Sequence, residues 1–329
     1  MRLPKTIAVP VAIALLMLAA AQPAGAQSFP VKPIRIIVPY GAGGVTDLLA
    51  RVLGASIAES TGQQVTVEPR PGGSSIIGMS ACAKAAPDGY TVCLTVPDSL
   101  TNNPLLFADL PYDAVRDFAP VTVLGWSSML VVANANAPIS TFKEMVAYSK
   151  SNPGKLNWGT WGPASTPDIY LRWIERQAGA QITTIPYSSA AQANPALFAG
   201  QIDLTVTGIG FALPFVKSGK IKVLAVMGKE RSSYFPDVPT LAEEGADPGL
   251  TVYFCIFAPA KTPPAIIERL NAEFAKAIRT PKVQDFYRTY TLRPEGNSAA
   301  EFAEFLKTDR AIVGKVFSAL GIKPGAAPP

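Results

Sequence analysis

Short runs of β-branched residues alternate with segments of helical periodicity along most of this chain, and the alternation limits the folds open to it. In the first series, strands are predicted at residues 34–38, 65–68 and 90–96, and helices at 48–57 and 76–85. Strands and helices that alternate through short connections form a parallel sheet covered by helices. The sequence therefore predicts an α/β fold.

A second series of the same kind begins near residue 129. Its predicted strands cover residues 129–133, 156–159, 183–186, 204–207 and 223–226, and its predicted helices cover 141–150, 167–178 and 192–199. Residues 263–279, 281–290 and 298–320 are mostly helical in pattern. Two α/β lobes of similar size follow from this arrangement.

The first residues have the three parts of a secretory signal peptide. Arg2 and Lys5 precede an apolar stretch at residues 7–21, and Ala24-Gly25-Ala26 forms an A-x-A cleavage site. A membrane anchor is the alternative, but it needs about 20 uninterrupted apolar residues. We expect cleavage after Ala26 and a mature chain in the periplasm.

The charge balance speaks against a nucleic-acid partner. Without residues 1–26 the chain keeps 303 of its 329 residues, with 27 basic residues against 24 acidic ones. This small excess is spread along the chain, and there is no Lys/Arg run of the kind that binds nucleic acid or membrane surfaces. We expect no nucleic-acid partner.

The chain contains no histidine. Histidine is the commonest catalytic acid or base and the commonest zinc ligand. A serine nucleophile at Ser75 or Ser165 would need another base, and neither serine lies in an S-x-x-K or G-x-S-x-G motif. We therefore predict no catalysis, no cofactor and no metal site, although a calcium ion held through ligand carboxylates stays open.

The three cysteines, Cys82, Cys93 and Cys255, form no C-x-x-C pair. In an exported protein, Cys82 and Cys93 are the best candidates for a disulfide, because a helix ending near residue 86 can pack on the strand beginning near residue 90. Free buried cysteines are the alternative, since a sequence does not show the geometry that a bridge needs. At least one thiol stays unpaired.

A glycine-rich loop, GAGGVTD at residues 41–47, joins the first predicted strand to the first helix. A dinucleotide fingerprint would need glycine where Thr46 stands, and a P-loop would need a lysine that is absent. The backbone N–H groups of such a loop and the helix start suit a carboxylate, with the Thr46 hydroxyl as a further donor and Asp47 as a cap. The alternative is that the glycines only make a tight turn.

Four other loops at strand ends resemble the first, because they are small, rich in hydroxyl groups and free of Lys and Arg. They cover residues 96–103, 159–166, 187–189 and 207–210. One helix start supplies about 1 kcal/mol, whereas micromolar affinity needs about 8 kcal/mol. We expect loops from both lobes to close on the ligand together.

These segments also resemble a known family. The motifs, in order, are KPIRIIVPYGAGGVTDLLAR, PGGSSIIG, PDGYTV, LPYDAVRDFAPV, NPGKLNWGT, GQIDL, FPDVPTLAEEG and FAPAKTPPAIIERLN. Across the mature chain they resemble the periplasmic substrate-binding proteins of tripartite tricarboxylate transporters, the Bug or TctC family. The resemblance implies a two-lobed type II periplasmic binding fold with a hinge and an interlobe cleft, no catalysis, and delivery of a small organic acid to a membrane permease.

The resemblance also suggests where the ligand binds. It implies that the glycine loop holds one ligand carboxylate through Ala42, Gly43, Gly44 and Asp47. It also implies that a glycine/serine loop of the other lobe holds the rest of the ligand, through Thr160, Trp161, Ser165 and Thr166. The full set of candidate ligand-binding residues is Tyr40, Ala42, Gly43, Gly44, Thr46, Asp47, Ser99, Thr160, Trp161, Ser165, Thr166, Asp168, Tyr187, Ser188, Gly208 and Ile209.

The chain departs from the family pattern at Trp161, at Asp168 and at Tyr187-Ser188-Ser189. Trp161 as an aromatic wall and Asp168 as an amine-binding group would favour an aromatic or amino-bearing carboxylate. Alternatively, Trp161 packs against the neighbouring lobe and Asp168 caps the helix that begins there. The substrate cannot be carried over from relatives.

The pattern and the resemblance together predict the lobe boundaries. One lobe comprises residues 27–127 and 253–329 and the other 128–252, with crossovers near residues 125–128 and 253–257. We expect a monomer, because closure about a hinge needs two free lobes. An exported sensor that feeds a signalling system is the alternative function, and a histidine-free hydrolase is a weaker one.

Overall fold

The computed structural model describes residues 29–323. They form two sheets, one of six strands and one of five. The predicted signal peptide and its cleavage site lie outside the described residues. Between residues 29 and 323, no helix has both the length and the apolar character needed to cross a membrane.

The larger sheet has the strand order β11-β4-β10-β3-β1-β2. Its strands are β1 (Ile34–Val38), β2 (Val65–Pro69), β3 (Thr91–Thr95), β4 (Phe118–Ser127), β10 (Val252–Pro259) and β11 (Leu292–Pro294). β1 is parallel to β2 and β3, whereas β10 is antiparallel to β3 and β4. This sheet and the helices on it are called the six-stranded lobe.

The smaller sheet has the order β7-β6-β8-β5-β9. Its strands are β5 (Met129–Asn134), β6 (Asn157–Thr160), β7 (Thr183–Pro186), β8 (Leu204–Gly208) and β9 (Ile221–Val226). β6 is parallel to β7 and β8, and β5 is antiparallel to β8 and β9. This sheet and its helices are called the five-stranded lobe.

Ten α-helices lie within the described residues, and a short π-helical turn at Asp98–Asn102 precedes the third. They are α1 (Val45–Thr61), α2 (Ile76–Ala83), α3 (Asn103–Leu106), α4 (Phe142–Ser151), α5 (Thr166–Ala178), α6 (Ala190–Phe198), α7 (Ile209–Lys217), α8 (Pro264–Ile278), α9 (Pro281–Thr289) and α10 (Ala299–Leu320).

Each lobe has its own core because its helices bury one apolar face against the sheet. In the six-stranded lobe, Leu49 and Leu53 of α1 pack with Ile36 of β1. In the five-stranded lobe, Trp158 of β6 packs with Tyr170 of α5. The spacing that predicts α1 is therefore the spacing of its buried face.

The prediction of parallel sheets is wrong for part of each lobe. Only one residue separates the end of β4 from the start of β5 in the other sheet, and β10 returns the chain to the first sheet. Such strands do not follow a crossover helix, so nothing requires them to run parallel to their neighbours. β4, β10 and β5 accordingly pair in antiparallel fashion.

The chain passes between the sheets after Ser127 and returns before Val252. Residues 253–257, where the return crossover is predicted, lie within β10. The predicted lobe boundaries stay a prediction, because they concern which residues move together and not which sheet they join.

Cys82 of α2 and Cys93 of β3 form a disulfide, with Cα atoms 6.1 Å apart. The first of the two alternatives for these cysteines is therefore the one found. Cys255 is free and buried in β10. Burial raises the pKa of its thiol, so Cys255 stays protonated as a core side chain.

Candidate ligand-binding site

A cavity of about 350 Å³ lies between the two lobes. The six-stranded lobe lines it with Tyr40, Gly41, Ala42, Gly43, Gly44, Val45, Thr46, Val96, Ser127, Val252, Phe254, Tyr290 and Leu292. The five-stranded lobe lines it with Met129, Trp161, Ser189, Ala190, Ala191, Asn194, Thr207, Gly208 and Phe211. Its volume is in the range of pockets that bind small organic molecules. We call it the main cavity.

The glycine loop meets the main cavity at the start of α1. Gly44 is the residue before the helix, and Gly43 has φ 82°, a left-handed conformation that favours glycine. The first N–H groups of a helix have no acceptor within it, and those of Val45 and Thr46 belong to this set. Together with the positive end of a 17-residue helix they favour an anion.

Asp47 supports this loop from behind and does not line the main cavity. Its carboxylate is 2 % exposed and accepts a hydrogen bond of 2.9 Å from the N–H of Gly43. Arg51 donates to the same carboxylate from Nε at 3.0 Å and Nη2 at 2.9 Å. The aspartate therefore fixes the loop conformation and leaves the next N–H groups at the cavity wall.

A second helix start, that of α6 in the five-stranded lobe, lies at the same end of the main cavity. A Cβ atom placed on Gly41 would lie 3.0 Å from Oγ of Ser189, the residue before α6. Ala190 and Ala191, in its first turn, line the cavity. Two helix N-termini from different lobes thus meet where one carboxylate would bind both.

None of the residues that line the main cavity carries a charged side chain. The opposite end consists of apolar residues at the strands that connect the lobes. Val252 and Leu292 are each paired with Ser127, and Met129 is paired with Gly208. The wall itself therefore offers an anion the helix starts and no ionised side chain.

Two buried polar atoms of the wall lack hydrogen-bond partners among residues 29–323. Nε1 of Trp161 and Oδ1 of Asn194 are buried without a partner, and Asn194 is only 4 % exposed. An unpaired buried polar group costs about 1–3 kcal/mol. Such groups in a cavity wall are candidates for contact with a ligand.

A smaller cavity of about 260 Å³ adjoins the first and shares Tyr40 and Trp161 with it. Its remaining lining residues are Pro39, Gly72, Gly73, Ser74, Ser75, Asp98, Asn103, Gly162, Pro163, Ser165, Tyr187 and Ser188. It is rich in hydroxyl groups, and Asp98 is its one ionisable carboxyl group.

Asp98 crosses from the six-stranded lobe to the start of α5 in the other lobe. Its carboxylate accepts a hydrogen bond of 2.9 Å from the N–H of Thr166 and one of 3.0 Å from its hydroxyl. Nearby, Nδ2 of Asn102 donates to the carbonyl of Ala164 at 2.7 Å. Burial raises the pKa of Asp98 to about 6, while the hydrogen bonds from Thr166 act in the opposite direction.

Asp168 is turned towards its own helix. Its carboxylate is buried, accepts a hydrogen bond of 3.0 Å from the N–H of Ala164 and pairs with Nε of Arg172 at 3.1 Å. It lines neither cavity. The predicted cap is wrong in detail, because Ser165 is the N-cap of α5 and Asp168 is its third residue, where it supports the turn before the helix.

The two lobes are in close contact around the main cavity. A Cβ atom on Gly210 of α7 would lie 2.3 Å from the Cα atom of Tyr290 in the other lobe, and one on Gly162 would lie 3.2 Å from Oγ of Ser74. At Gly210 the obstacle is backbone, which cannot turn aside. The structure therefore holds the lobes in a closed arrangement.

The structure brings together many, but not all, of the predicted site residues. Those that line the main cavity are Tyr40, Ala42, Gly43, Gly44, Thr46, Trp161 and Gly208. Those that line the smaller cavity are Tyr40, Trp161, Ser165, Tyr187 and Ser188. Those on neither wall are Asp47, Ser99, Thr160, Thr166, Asp168 and Ile209. A ligand contact for any of them stays a prediction.

The sequence prediction does not include several wall residues. Asn194 lies inside α6, outside every motif, and only its unpaired amide in the folded chain draws attention to it. Asp98 stands in a loop from which only Ser99 is predicted, and its partner Thr166 is 68 residues away. Their significance depends on contacts across the cleft, which spacing in the sequence does not show.

Known proteins match the chain over most of its length. The sequence profile described as tripartite tricarboxylate transporter family receptor, TctC, matches residues 49–322. A UPF0065 protein of Bordetella pertussis is 33% identical over 315 residues, which cover 95% of this chain and 96% of the relative.

Three solved structures are similar in both sequence and fold. The periplasmic binding protein BugD has a TM-score of 0.84 at 26% identity, covering 90% of this chain and 100% of that one. An R. palustris protein solved with adipate has a TM-score of 0.83 at 29% identity, covering 90% and 99%. MatC from Rhodopseudomonas palustris, with bound malate, has a TM-score of 0.81 at 29% identity, covering 88% and 99%.

Proposed function

The chain belongs to the tripartite tricarboxylate transporter receptor family, and from this premise we propose that it captures a small organic carboxylate between its lobes and delivers it to a membrane permease. Family members with solved structures include periplasmic binding proteins, and two similar chains were solved with the carboxylates adipate and malate. The carboxylate is the ligand class these relatives support.

The observation that carries this proposal is the main cavity, enclosed by both lobes and bordered by the starts of α1 and α6. A ligand carboxylate accepts hydrogen bonds from the N–H groups of Val45 and Thr46 on one side and from the first turn of α6 on the other. An empty cleft leaves two positive helix ends facing each other. The anion therefore favours the closed form that it binds.

Capture without chemistry fits the composition of this cavity. The hydroxyl groups of Ser127, Ser189 and Thr207 line it, but no lysine or carboxylate stands beside them on the wall to act as a base. The chain has no histidine to take that role. A hydrolase is accordingly the weaker alternative.

Delivery requires an exported protein with two lobes that move. We propose that the leader is removed after Ala26 and that residues 27–127 with 253–329 rotate against residues 128–252. The intact mass of the periplasmic protein tests the first point. Small-angle scattering tests the second, because closure reduces the radius of gyration when a ligand is added.

The experiment that tests the function is isothermal calorimetry on mature protein, unfolded and refolded to remove any co-purified ligand. The titrants are aliphatic and aromatic carboxylates and the methyl ester of each. We expect at least one carboxylate to bind at micromolar affinity or better and its ester to bind at least tenfold more weakly, since the ester lacks the charge. Folded protein that binds every ester as tightly as its acid would contradict the proposal.

A further inference from the structure

We propose that the ligand carries a single carboxylate on an apolar body, together with an uncharged hydrogen-bonding group that pairs with Asn194. This inference rests on the proposed function and narrows it. It names one ligand class among the carboxylates that the fold accommodates and one residue that selects it.

A second carboxylate has no counter-charge in the main cavity. No Lys or Arg side chain lines this cavity, and an ionised group that is buried without a partner pays a large desolvation penalty. The two helix starts that favour an anion meet at one end, where Gly41 approaches Ser189. They share one carboxylate. At the other end the start of α7 borders the cavity through Gly208, but the first N–H of this helix, that of Ile209, already donates to the carbonyl of Ser128 at 3.2 Å.

The anion-binding position at the start of α5 is already filled. The start of α5 is where the family resemblance places the rest of the ligand, and the N–H and hydroxyl of Thr166 are suited to a carboxylate. Both donate to Asp98, at 2.9 and 3.0 Å. The carboxylate of Asp98 thus occupies the place that a second ligand carboxylate would need.

The opposite end of the main cavity accommodates an apolar body. The residues that line it are Met129, Phe211, Val252, Phe254 and Leu292. All of them except Phe211 are buried and lie on paired strands near the crossing between the lobes. Apolar ligand surface that enters this space leaves water, which is favourable, whereas a charged group would lose its hydration.

Asn194 supplies a polar side chain in α6 that the protein leaves unpaired. It is 4 % exposed and lines the main cavity, its Oδ1 has no partner, and its amide makes no hydrogen bond to any residue between 29 and 323. An amide both donates and accepts, so it pairs with a hydroxyl, carbonyl or amide group. Being neutral, it does not compensate a second ligand charge.

The test uses ligands that differ in one group. The aromatic series is benzoate, 4-hydroxybenzoate, 4-carbamoylbenzoate and terephthalate, and the aliphatic series is hexanoate, 6-hydroxyhexanoate, adipamate and adipate. In each series the amide and the second carboxylate have nearly the same size, so their comparison isolates the charge. Each ligand is titrated by calorimetry into wild-type protein and into Asn194→Leu and Asn194→Ala.

In the series that fits the cavity, we expect the amide or hydroxyl acid to bind about five- to tenfold more tightly than the unsubstituted acid. We expect it to bind at least tenfold more tightly than the diacid. In the Asn194 variants the advantage over the unsubstituted acid disappears, because only the substituted acid pairs with Asn194. Binding of benzoate or hexanoate by each variant reports its folding and its anion site.

A diacid that binds as tightly as its amide, or more tightly, overturns the proposal that the ligand carries a single carboxylate, while the receptor function stands. Variants that weaken all ligands by the same factor overturn the role of Asn194. If one Asn194 variant does not fold, the same comparison of ligands is made between the other variant and the wild-type protein. If no acid of either series binds, diacids included, the failure concerns the proposed function itself.

Discussion

The two lobes begin their helices α1 and α5 with the same device. In each helix the third residue is a buried aspartate that accepts a hydrogen bond from the backbone N–H four residues earlier. In each, this aspartate pairs with an arginine one turn later, Asp47 with Arg51 and Asp168 with Arg172. The pairs stabilise the helix starts and consume none of the N–H groups of the first turn.

The two helix starts differ in what lies in front of them. The start of α1 faces the main cavity with no side-chain acceptor at its first N–H groups. The start of α5 is covered by Asp98 from the opposite lobe. One position is therefore open to an anion, while a side chain of the protein holds the other and joins the lobes.

The largest effect is expected from keeping the starts of α1 and α6, which share the proposed carboxylate site, apart. In Gly210→Ala the new Cβ would lie 2.3 Å from backbone atoms of Tyr290, so the lobes cannot approach fully. Overpacking of this kind costs about 1–3 kcal/mol, and carboxylate affinity measured by calorimetry should fall about 10- to 100-fold.

Gly314→Ala is the matched control, because Gly314 lies in α10 with open space around it. It should leave affinity unchanged and raise the melting temperature slightly, since alanine favours a helix. Equal affinities for both variants would show that the binding form does not need the contact between Gly210 and Tyr290.

Removing the aspartate from each helix start separates stability from binding. Asp47→Ala and Asp168→Ala each break a buried hydrogen bond and an ion pair, so each should lower the free energy of unfolding in urea by about 1–3 kcal/mol. Only Asp47→Ala should also weaken carboxylate binding, by about tenfold, because of these two helices only α1 borders the proposed ligand site. Similar affinity losses in both would mean that both helix starts hold the ligand.

Removing Asp98 should make the second helix start available. In Asp98→Ala the N–H of Thr166 loses its acceptor, and an anion can bind there for about 1 kcal/mol. The affinity of adipate relative to adipamate should therefore rise about fivefold. A ratio that does not change in calorimetry would argue that Asp98 does not exclude the second carboxylate.

The smallest effect concerns pH. Burial raises the pKa of Asp98 to about 6, above the unfolded value of 3.8, so the folded state holds this proton more tightly than the unfolded chain does. The resulting stability is fully present below about pH 4 and is lost as the pH rises through 6.

Between pH 7 and pH 5, this group should add about 1 kcal/mol to the free energy of unfolding. Asp309, whose pKa burial also raises to about 6, acts in the same direction. Asp98→Asn should thus remove about half of the gain from these two groups in urea titrations at the two pH values. If the free energy of unfolding of the variant rose as much between pH 7 and pH 5 as that of the wild type, the increase would come from other groups.

The sequence predicts the glycine loop and α1 well because their signals are local. Glycines, a helix-starting aspartate and a regular apolar face lie within a few turns of each other, and the structure has α1 at Val45–Thr61. The sheets are predicted less well, since β4 and β10 connect the lobes and pair antiparallel. No local pattern distinguishes such a connecting strand from one that follows a helix.

The site is predicted less completely than the helices, because residues that meet in the cleft are far apart along the chain. Asp98 and Thr166 both lie in predicted loops, yet only the fold shows that one fills the helix start of the other. In the sequence Asp168 fits both a ligand role and a cap, and only the fold shows that its carboxylate is bonded to Ala164 and Arg172. Such choices depend on which hydrogen-bonding groups are still free after folding.

The central claim is that the ligand carboxylate binds the start of α1 while Asp98 keeps the start of α5. A crystal structure with the tightest-binding acid of the two series tests it most directly. We expect a carboxylate oxygen within about 3.2 Å of the N–H nitrogen of Val45 or Thr46, and Asp98 still bonded to Thr166. A ligand carboxylate bound to Thr166 in place of Asp98, with nothing at the start of α1, would contradict it.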